Sequence, residues 1–264
     1  MQTFDWTAAT PAKASMPASR VLQAYLQEMR SECLRYLRSP GFMLPTLLFP
    51  LVFYTMFGIV LGGRHGNPDA PRYLLAAYAT FGVMAPGLFG FGIALALERD
   101  NGLLMLKRAL PMPPAAYLLG KMIMAMLVAG LIVGLLVVLA VFAADVRLQP
   151  LQIAHLLATG MLGTLPFCAM GLLLGCLVSG QGAPAMANLL YLPMAFLSGL
   201  WFPLSVLPRF LQQLAPLWPS YHLNKLSQAA VGFESAALWP HVLALLGFTV
   251  VFLLLAARRL RRHG

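Results

Sequence analysis

Long apolar runs dominate the hydrophobic pattern of this chain. Six segments lack Asp, Glu, Lys and Arg over about 20 residues, which is the length a helix needs to cross a bilayer. They cover residues 41–61, 73–97, 122–144, 156–179, 185–202 and 236–257. We therefore predict an all-α polytopic membrane protein with six transmembrane helices and a single transmembrane domain over residues 21–264.

The segment before the first run has a mixed pattern. In residues 21–38, apolar side chains recur at helical spacing, and charged residues fill much of the remaining helix surface. This pattern predicts an amphipathic helix that lies in the membrane interface and leads into the first span. A solvated helix packed on another cytoplasmic part is the alternative. Residues 1–20 are polar and rich in Pro and Ala, so we expect a disordered cytoplasmic tail there.

Prolines interrupt the region between the fifth and sixth runs. Residues 203–226 are moderately apolar and contain Pro203, Pro208, Pro216 and Pro219. A straight spanning helix would lose backbone hydrogen bonds at each of these positions. We therefore predict re-entrant half-helices between spans five and six. Pro203, Pro219 and Tyr221 belong to this region.

Composition and charge exclude several classes of protein. The chain is 60% hydrophobic and 10% charged, whereas a soluble domain carries about 25% charged residues. The net charge of +10 does not indicate nucleic-acid binding, because most basic residues lie at the ends of apolar runs. They collect on one side of the predicted topology, before span one, between spans two and three, and after span six. Both termini are therefore predicted to be cytoplasmic.

The sequence lacks the motifs of several chemistries. It has no Gly-x4-Gly-Lys-Ser/Thr loop, no His-Glu-x-x-His pair and no Gly-x-Ser-x-Gly elbow. Cys33, Cys168 and Cys176 have no metal-like spacing, so neither a metal nor a disulfide is expected. The apolar runs contain no carboxylate for a coupling ion. We predict a chain that is not itself an enzyme, holds no cofactor, and takes energy from another subunit.

The loop at residues 98–121 carries the most specific local pattern. Glu98, Arg99 and Asp100 end the second run, and Gly102 permits a turn before a short Leu-rich helix over 103–110. Prolines then stop that helix. A short helix between charged residues on the cytoplasmic face suits docking into a groove on a soluble partner. A solvated loop whose charges only fix the topology is the alternative.

Motifs along most of the chain, from about residue 20, resemble those of type 2 ABC exporter permeases. The amphipathic segment and the loop after the second run both match that pattern. The matching residues are Glu98-Arg99-Asp100-Asn101-Gly102, Leu106-Lys107, Leu110-Pro111, Ser198-Gly199-Leu200-Trp201-Phe202-Pro203 and Trp218-Pro219-Ser220-Tyr221. One departure is the short loop between spans one and two, which leaves no room for a large extracellular domain.

The resemblance implies how such a chain would work. Two permease subunits, a homodimer rather than a heterodimer, would form a path through the cell inner membrane and contact membrane lipid. Two ATP-binding subunits would hold ATP and Mg²⁺ below them. Residues 98–110 would form the coupling helix that receives the movement of the ATPase. Within it we assign coupling to Glu98, Arg99, Asp100, Gly102 and Lys107. We further hypothesise that Glu98 pairs with Arg35 or Arg38 of the amphipathic helix.

Aromatic residues of three spans are candidates for the substrate path. They offer adaptable contact to apolar or amphiphilic cargo, although aromatic residues in membrane helices also face lipid or pack between helices. The candidates are Phe53, Tyr54, Phe57, Phe89, Tyr191, Phe196 and Trp201.

The predicted function is ATP-driven export of a small hydrophobic or amphiphilic molecule, as in drug efflux. Export of a lipid-linked saccharide or of sodium by the same kind of complex is an alternative. A membrane scaffold subunit without transport is another, because it would keep the same spans. A membrane-embedded enzyme is disfavoured, because the spans lack clustered acidic residues.

Overall fold

The computed structural model describes residues 17–61, 69–109, 113–233 and 237–263, and every regular element in those ranges is a helix. The all-α prediction is confirmed there, whereas the predicted tail over 1–20 lies almost entirely outside the described residues. The helices are α1 (Ala18–Leu37), α2 (Pro40–Leu61), α3 (Ala70–Asp100), α4 (Leu103–Ala109), α5 (Pro114–Ala143), α6 (Pro150–Leu177), α7 (Ala183–Leu197), α8 (Arg209–Leu214), α9 (Pro219–Ala230) and α10 (Trp239–His263).

Five of the described helices are long and apolar enough to cross a membrane: α2, α3, α5, α6 and α10. They correspond to predicted spans one to four and six. The fifth prediction, residues 185–202, is too long, because α7 ends at Leu197 after 15 residues. Gly199 follows in a left-handed turn with φ +74°. A 15-residue helix is about 22 Å long, shorter than the hydrocarbon core of about 30 Å.

Helix α3 forms the centre of the bundle and contacts α2, α5, α6, α7 and α9. Its crossing with α6 is built from glycines. A Cβ at Gly171 would lie 2.5 Å from the Gly87 carbonyl oxygen, and one at Gly175 would lie 2.8 Å from the Gly92 carbonyl oxygen. Only glycine permits backbones to approach so closely. The Gly171/Gly175 pair therefore packs two helices of the same chain.

Prolines widen the helical turns in α2 and α3. Pro45 and Pro50 lie inside α2, which continues as π-helix over Tyr54–Leu61. In α3, π-helical turns run over Pro86–Ile93. A proline has no N–H for the usual i→i−4 hydrogen bond, so a carbonyl in the preceding turn loses its α-helical partner. That carbonyl can instead bond to an N–H five residues later, which is the wider turn of a π-helix. Both spans are therefore locally irregular.

Helix α5 begins earlier than the hydrophobic pattern predicts. The third span was expected from residue 122, after Lys121, but the helix starts at Pro114. Proline suits the first helical position because its missing N–H would have no helical partner there. Lys121 lies inside this helix and is fully buried. The lysine is thus part of the bundle and not of the preceding loop.

The proline-rich region between α7 and α10 consists of short helices, as predicted. Two single 3-10 turns, Leu204–Val206 and Ala215–Leu217, flank α8. Pro219 occupies the first position of α9. The depth of these helices in the bilayer stays a prediction.

Candidate functional site

Helix α1 turns its acidic side towards the protein. Leu22, Leu26 and Leu37 are exposed, whereas Glu32 and Tyr36 are buried. The helix packs on α5 at Gly120, where a Cβ would lie 3.2 Å from Glu28 Cγ. The apolar side is thus free to face lipid, and the acidic side faces the protein.

Lys121 joins α1 to α3 through two carboxylates. Its Nζ lies 3.0 Å from Glu32 Oε2 and 3.0 Å from Glu98 Oε1. All three residues are at most 5% exposed. A buried ammonium is very unfavourable unless it is paired and hydrogen-bonded. The contacts with Glu32 and Glu98 provide Lys121 with both opposite charges and hydrogen bonds.

Four further residues complete what we call the ion cluster. Arg35 donates to Glu98 and lies 2.6 Å from Glu32 Oε2, so Arg35 is the partner of Glu98 that the sequence suggested. Lys107 of α4 contacts Glu28 and lies 3.1 Å from Glu32 Oε1. The Tyr117 hydroxyl donates to Glu98. The ion cluster comprises Glu28, Glu32, Arg35, Glu98, Lys107, Tyr117 and Lys121.

The charges of the ion cluster balance, with three carboxylates and three cations. Burial alone would lower the pKa of Arg35, but the carboxylates of Glu32 and Glu98 raise it above its usual value. Lys107 Nζ also lies 4.4 Å from the centroid of the Tyr117 ring, within the range of a cation–π contact. The result is one electrostatic unit that connects α1, α3, α4 and α5.

Arg99 and Asp100 connect the same end of α3 to the turn after α6. Arg99 Nη1 donates to the Gly175 carbonyl at 2.9 Å, and its Nη2 donates to the Val178 carbonyl at 2.9 Å. Asp100 Oδ2 accepts the Gly180 N–H at 2.6 Å. The last carbonyls of a helix have no partner within it, and here Arg99 supplies one. Movement of the Glu98–Asp100 segment would therefore reach α6 and α7.

The short helix α4 exposes an apolar tip. It starts after Gly102, whose φ of +71° is a left-handed conformation that favours glycine. Met105 is 75% exposed and Leu106 is 67% exposed. Lys107 and Glu98, two of the predicted coupling residues, point instead into the ion cluster. The sequence analysis did not identify Met105 as a candidate contact residue. The signal available there was a run of apolar residues inside an otherwise charged loop.

Aromatic side chains of α2, α3 and α7 surround a groove of about 400 Å³. The Phe53 ring centroid lies 6.0 Å from that of Trp201 and 6.2 Å from that of Phe81. Tyr191 lies 4.9 Å from Phe81 and 5.1 Å from Phe89. The aromatic groove is lined by Phe42, Phe49, Phe53, Phe81, Phe89, Tyr191 and Trp201, among others.

Most of the predicted substrate-path residues come together at this groove. Phe53, Phe89, Tyr191 and Trp201 line it, and Phe57 stacks beside Phe53 at 6.0 Å. Tyr54 packs on Tyr78, which the sequence did not single out, at 6.5 Å between centroids. Phe196 does not line the groove.

Three aromatic residues in or beside the groove have a buried polar atom without a partner. The hydroxyls of Tyr54 and Tyr78 and the Trp201 Nε1 are buried and have no hydrogen-bond partner in the described part of the chain. Of the three residues, only Trp201 lines the groove.

A second polar region lies at the opposite end of α3. Ser198 and Ser220 hydroxyls are 2.5 Å apart, so the two motifs around Ser198 and Trp218 are in direct contact. About two turns further along α9, Thr80 of α3 donates to the Ser227 hydroxyl at 3.0 Å. We call the buried face of α9, formed by Ser220, Asn224, Ser227 and Gln228, the polar ladder. Tyr221 lies on another side, 5.9 Å from His241 between ring centroids.

The sequence profile of the family described as "ABC-2 type transporter" matches residues 23–231. This chain belongs to that family. It is also similar to "Putative transport permease YvfS" of Bacillus subtilis (strain 168), with 28% identity over 227 residues, 86% of this chain and 92% of the relative. The family assigns the chain as a transmembrane permease subunit of an ABC transporter and implies an ATP-binding subunit as partner.

Proposed function

We propose that this ABC-2 permease exports a small hydrophobic or amphiphilic molecule from the cytoplasm, driven by ATP hydrolysis on its partner subunit. The aromatic groove is the observation that carries the substrate class. Its volume of about 400 Å³ lies in the range of small-molecule sites, about 300–1,000 Å³. Aromatic walls favour an apolar or amphiphilic molecule over a strongly polar one.

Helix α4 is proposed to receive the movement of the ATPase. Met105 and Leu106 would enter a groove on that partner, because they are the large apolar side chains that α4 leaves most exposed. Lys107 would pass the movement to α1 through Glu28 and Glu32. Glu98, Arg99 and Asp100 would pass it to α5, α6 and the turn before α7, while Gly102 permits the orientation of α4.

The assembly is proposed to contain two copies of this chain in the cell inner membrane, with both termini on the side of the ATPase. Helices α2 and α7 leave Phe49, Val52 and Leu189 exposed next to the aromatic groove. A second copy placed there would cover these side chains and close the groove into a path.

The coupling proposal is tested with the partner ATPase and this permease reconstituted in liposomes. We expect Met105→Asp with Leu106→Asp to abolish copurification of the ATPase and most of its stimulation by the permease. Met105→Leu keeps the apolar contact and should retain both. Val206→Asp, which changes an exposed apolar residue at the other end of the bundle, should also retain both. Unchanged association of the double variant would exclude α4 as the docking helix.

The substrate class is tested by ATP-dependent uptake into inside-out proteoliposomes. A panel of amphiphilic dyes that includes rhodamine 6G would be compared with sodium and a lipid-linked saccharide. We expect dye uptake, with a decrease of about tenfold in Trp201→Leu and Phe53→Leu. Phe142→Leu replaces an exposed aromatic residue of α5 outside the groove and should leave uptake unchanged. Uptake of sodium or saccharide alone would replace the proposed cargo, and ATP hydrolysis without any uptake would favour a scaffold.

A further inference from the structure

Helix α7 contributes an accessible amide to the aromatic groove. Asn188, Tyr191 and Leu192 line the groove from α7, and their spacing of three and four residues places them on one helix face. Asn188 is exposed, although it lies within a helix that has no charged residue. Its side chain therefore borders the open space of the groove and is not packed inside the bundle.

The other polar side chains of the groove wall are differently placed. The Thr46 hydroxyl donates to a backbone carbonyl of α2 at 2.8 Å, and the Tyr191 hydroxyl donates to a backbone carbonyl of α3 at 2.9 Å. The Trp201 Nε1 atom is buried. The Asn188 side chain, in contrast, has no hydrogen-bond partner among the residues that the structure describes. It therefore offers the groove both an amide oxygen and amide N–H groups.

The groove has no charged side chain with which to select its cargo, as far as the described residues line it. A polar group that enters such an apolar site loses its hydrogen bonds to water, which is unfavourable unless the protein replaces them. Proteins leave a buried N–H without a partner less often than a buried carbonyl. A cargo molecule with an N–H or O–H group therefore needs an acceptor in the groove, and the amide oxygen of Asn188 can supply it.

We propose that Asn188 determines specificity in the aromatic groove by accepting a hydrogen bond from an N–H or O–H group of the cargo. This inference rests on the proposed function and narrows its cargo class to amphiphiles that carry a hydrogen-bond donor. The apolar body of such a molecule would contact the aromatic rings, and its donor would lie at α7. Phe53 and Trp201 thus favour apolar molecules in general, whereas Asn188 distinguishes among them.

The test measures binding of two dyes to the full chain in lipid nanodiscs by fluorescence anisotropy, corrected with empty nanodiscs. Rhodamine 6G carries N–H donors, whereas rhodamine B ethyl ester has the same xanthene core, charge and ester but no N–H. We expect Asn188→Leu to decrease the preference for rhodamine 6G about fivefold, because one neutral hydrogen bond is lost. Asn188→Gln keeps an amide and should retain most of the preference. An unchanged preference in Asn188→Leu would overturn the proposal.

Gln213→Leu is the matched control, because Gln213 is an exposed amide on α8 that does not line the groove. The preference between the dyes should not change in that variant. Native mass spectrometry of the same samples tests the other partner open to Asn188, a second copy of this chain. Loss of the dimer in Asn188→Leu, with equal weakening of both dyes, would assign Asn188 to the contact between copies and overturn the proposal.

The role of Asn188 and the proposed export can fail separately. A preference that depends on Asn188, without ATP-dependent uptake of either dye, would support the role and exclude export of these dyes. Uptake of rhodamine 6G with an unchanged preference in Asn188→Leu would support export and exclude the role. Binding of neither dye to the native chain would overturn both the role of Asn188 and the proposed cargo class.

Discussion

The two ends of α3 bury different kinds of polar group, charged at one end and neutral at the other. At the Glu98 end, six charged groups are close together, and each has an opposite charge as a partner. Towards the other end of α3, where Thr80 contacts Ser227, the polar ladder is neutral. Two of its buried amide atoms have no hydrogen-bond partner within 3.5 Å in the described ranges. An unpaired buried charge is far less favourable than an unpaired amide. The charged end is therefore held by strong ion pairs, whereas the neutral end is held by weaker hydrogen bonds.

Removing the central cation gives the largest expected effect. Lys121→Met removes the fully buried cation between Glu32 and Glu98 and leaves two cations for three carboxylates, so we expect a loss of about 3–5 kcal/mol of stability. The measurement is the midpoint of thermal unfolding in detergent, followed by tryptophan fluorescence. Lys225→Met is the control, because Lys225 is exposed and should change stability by less than about 0.5 kcal/mol. Equal midpoints for both variants would contradict the difference between the two ends.

The second largest effect on stability is expected at the glycine crossing between α3 and α6. Gly171→Ala places a methyl group 2.5 Å from the Gly87 carbonyl oxygen, so the helices must separate at a cost of about 1–3 kcal/mol. Gly134→Ala is the matched control, because no atom lies within 4 Å of its added Cβ. That control should be neutral or stabilising by about 1 kcal/mol, since alanine favours a helix. Unfolding midpoints of both variants measure the difference.

The polar ladder should respond more weakly than the ion cluster. Ser220→Ala removes the partner of the Ser198 hydroxyl and should cost about 1 kcal/mol. Ser205→Ala changes an exposed serine of the same region and serves as the control. If thermal unfolding shows that Ser220→Ala is as damaging as Lys121→Met, the neutral end is as tightly constrained as the charged one.

The smallest effect on stability is expected at the tip of α4. Met105→Asp changes an exposed side chain, so the free energy of unfolding should change by less than about 0.5 kcal/mol. Stimulation of the partner ATPase should nevertheless decrease strongly. A variant that loses stability along with stimulation would mean that Met105 supports the fold and not docking.

The spans could be predicted from the sequence because lipid requires a long apolar helix whatever its neighbours are. Charged residues were harder to place. Lys121 was interpreted as a loop residue at the end of a span, whereas its pairing with Glu32 and Glu98 allows it to lie inside α5. These pairs join residues 89 and 23 positions apart on different helices, so the local pattern cannot reveal them. The pair of Glu98 and Arg35 was anticipated only because both were expected at the same depth.

For the candidate sites, the residue types could be predicted from the sequence, but their arrangement in space could not. The aromatic residues of α2, α3 and α7 were identified by type, but their meeting around Phe53 depends on helix packing. Tyr78 was missed because it is one apolar residue among many in a buried span.

The charge balance of the ion cluster has an electrical consequence. Moving one elementary charge through the full membrane potential requires about 2.3 kcal/mol per 100 mV. Three carboxylates and three cations that shift together carry no net charge, so their displacement does no electrical work against the field. If the ion cluster moves as one unit during a conformational cycle, its six charged groups therefore add no net gating charge, and any voltage dependence would come from charges outside it.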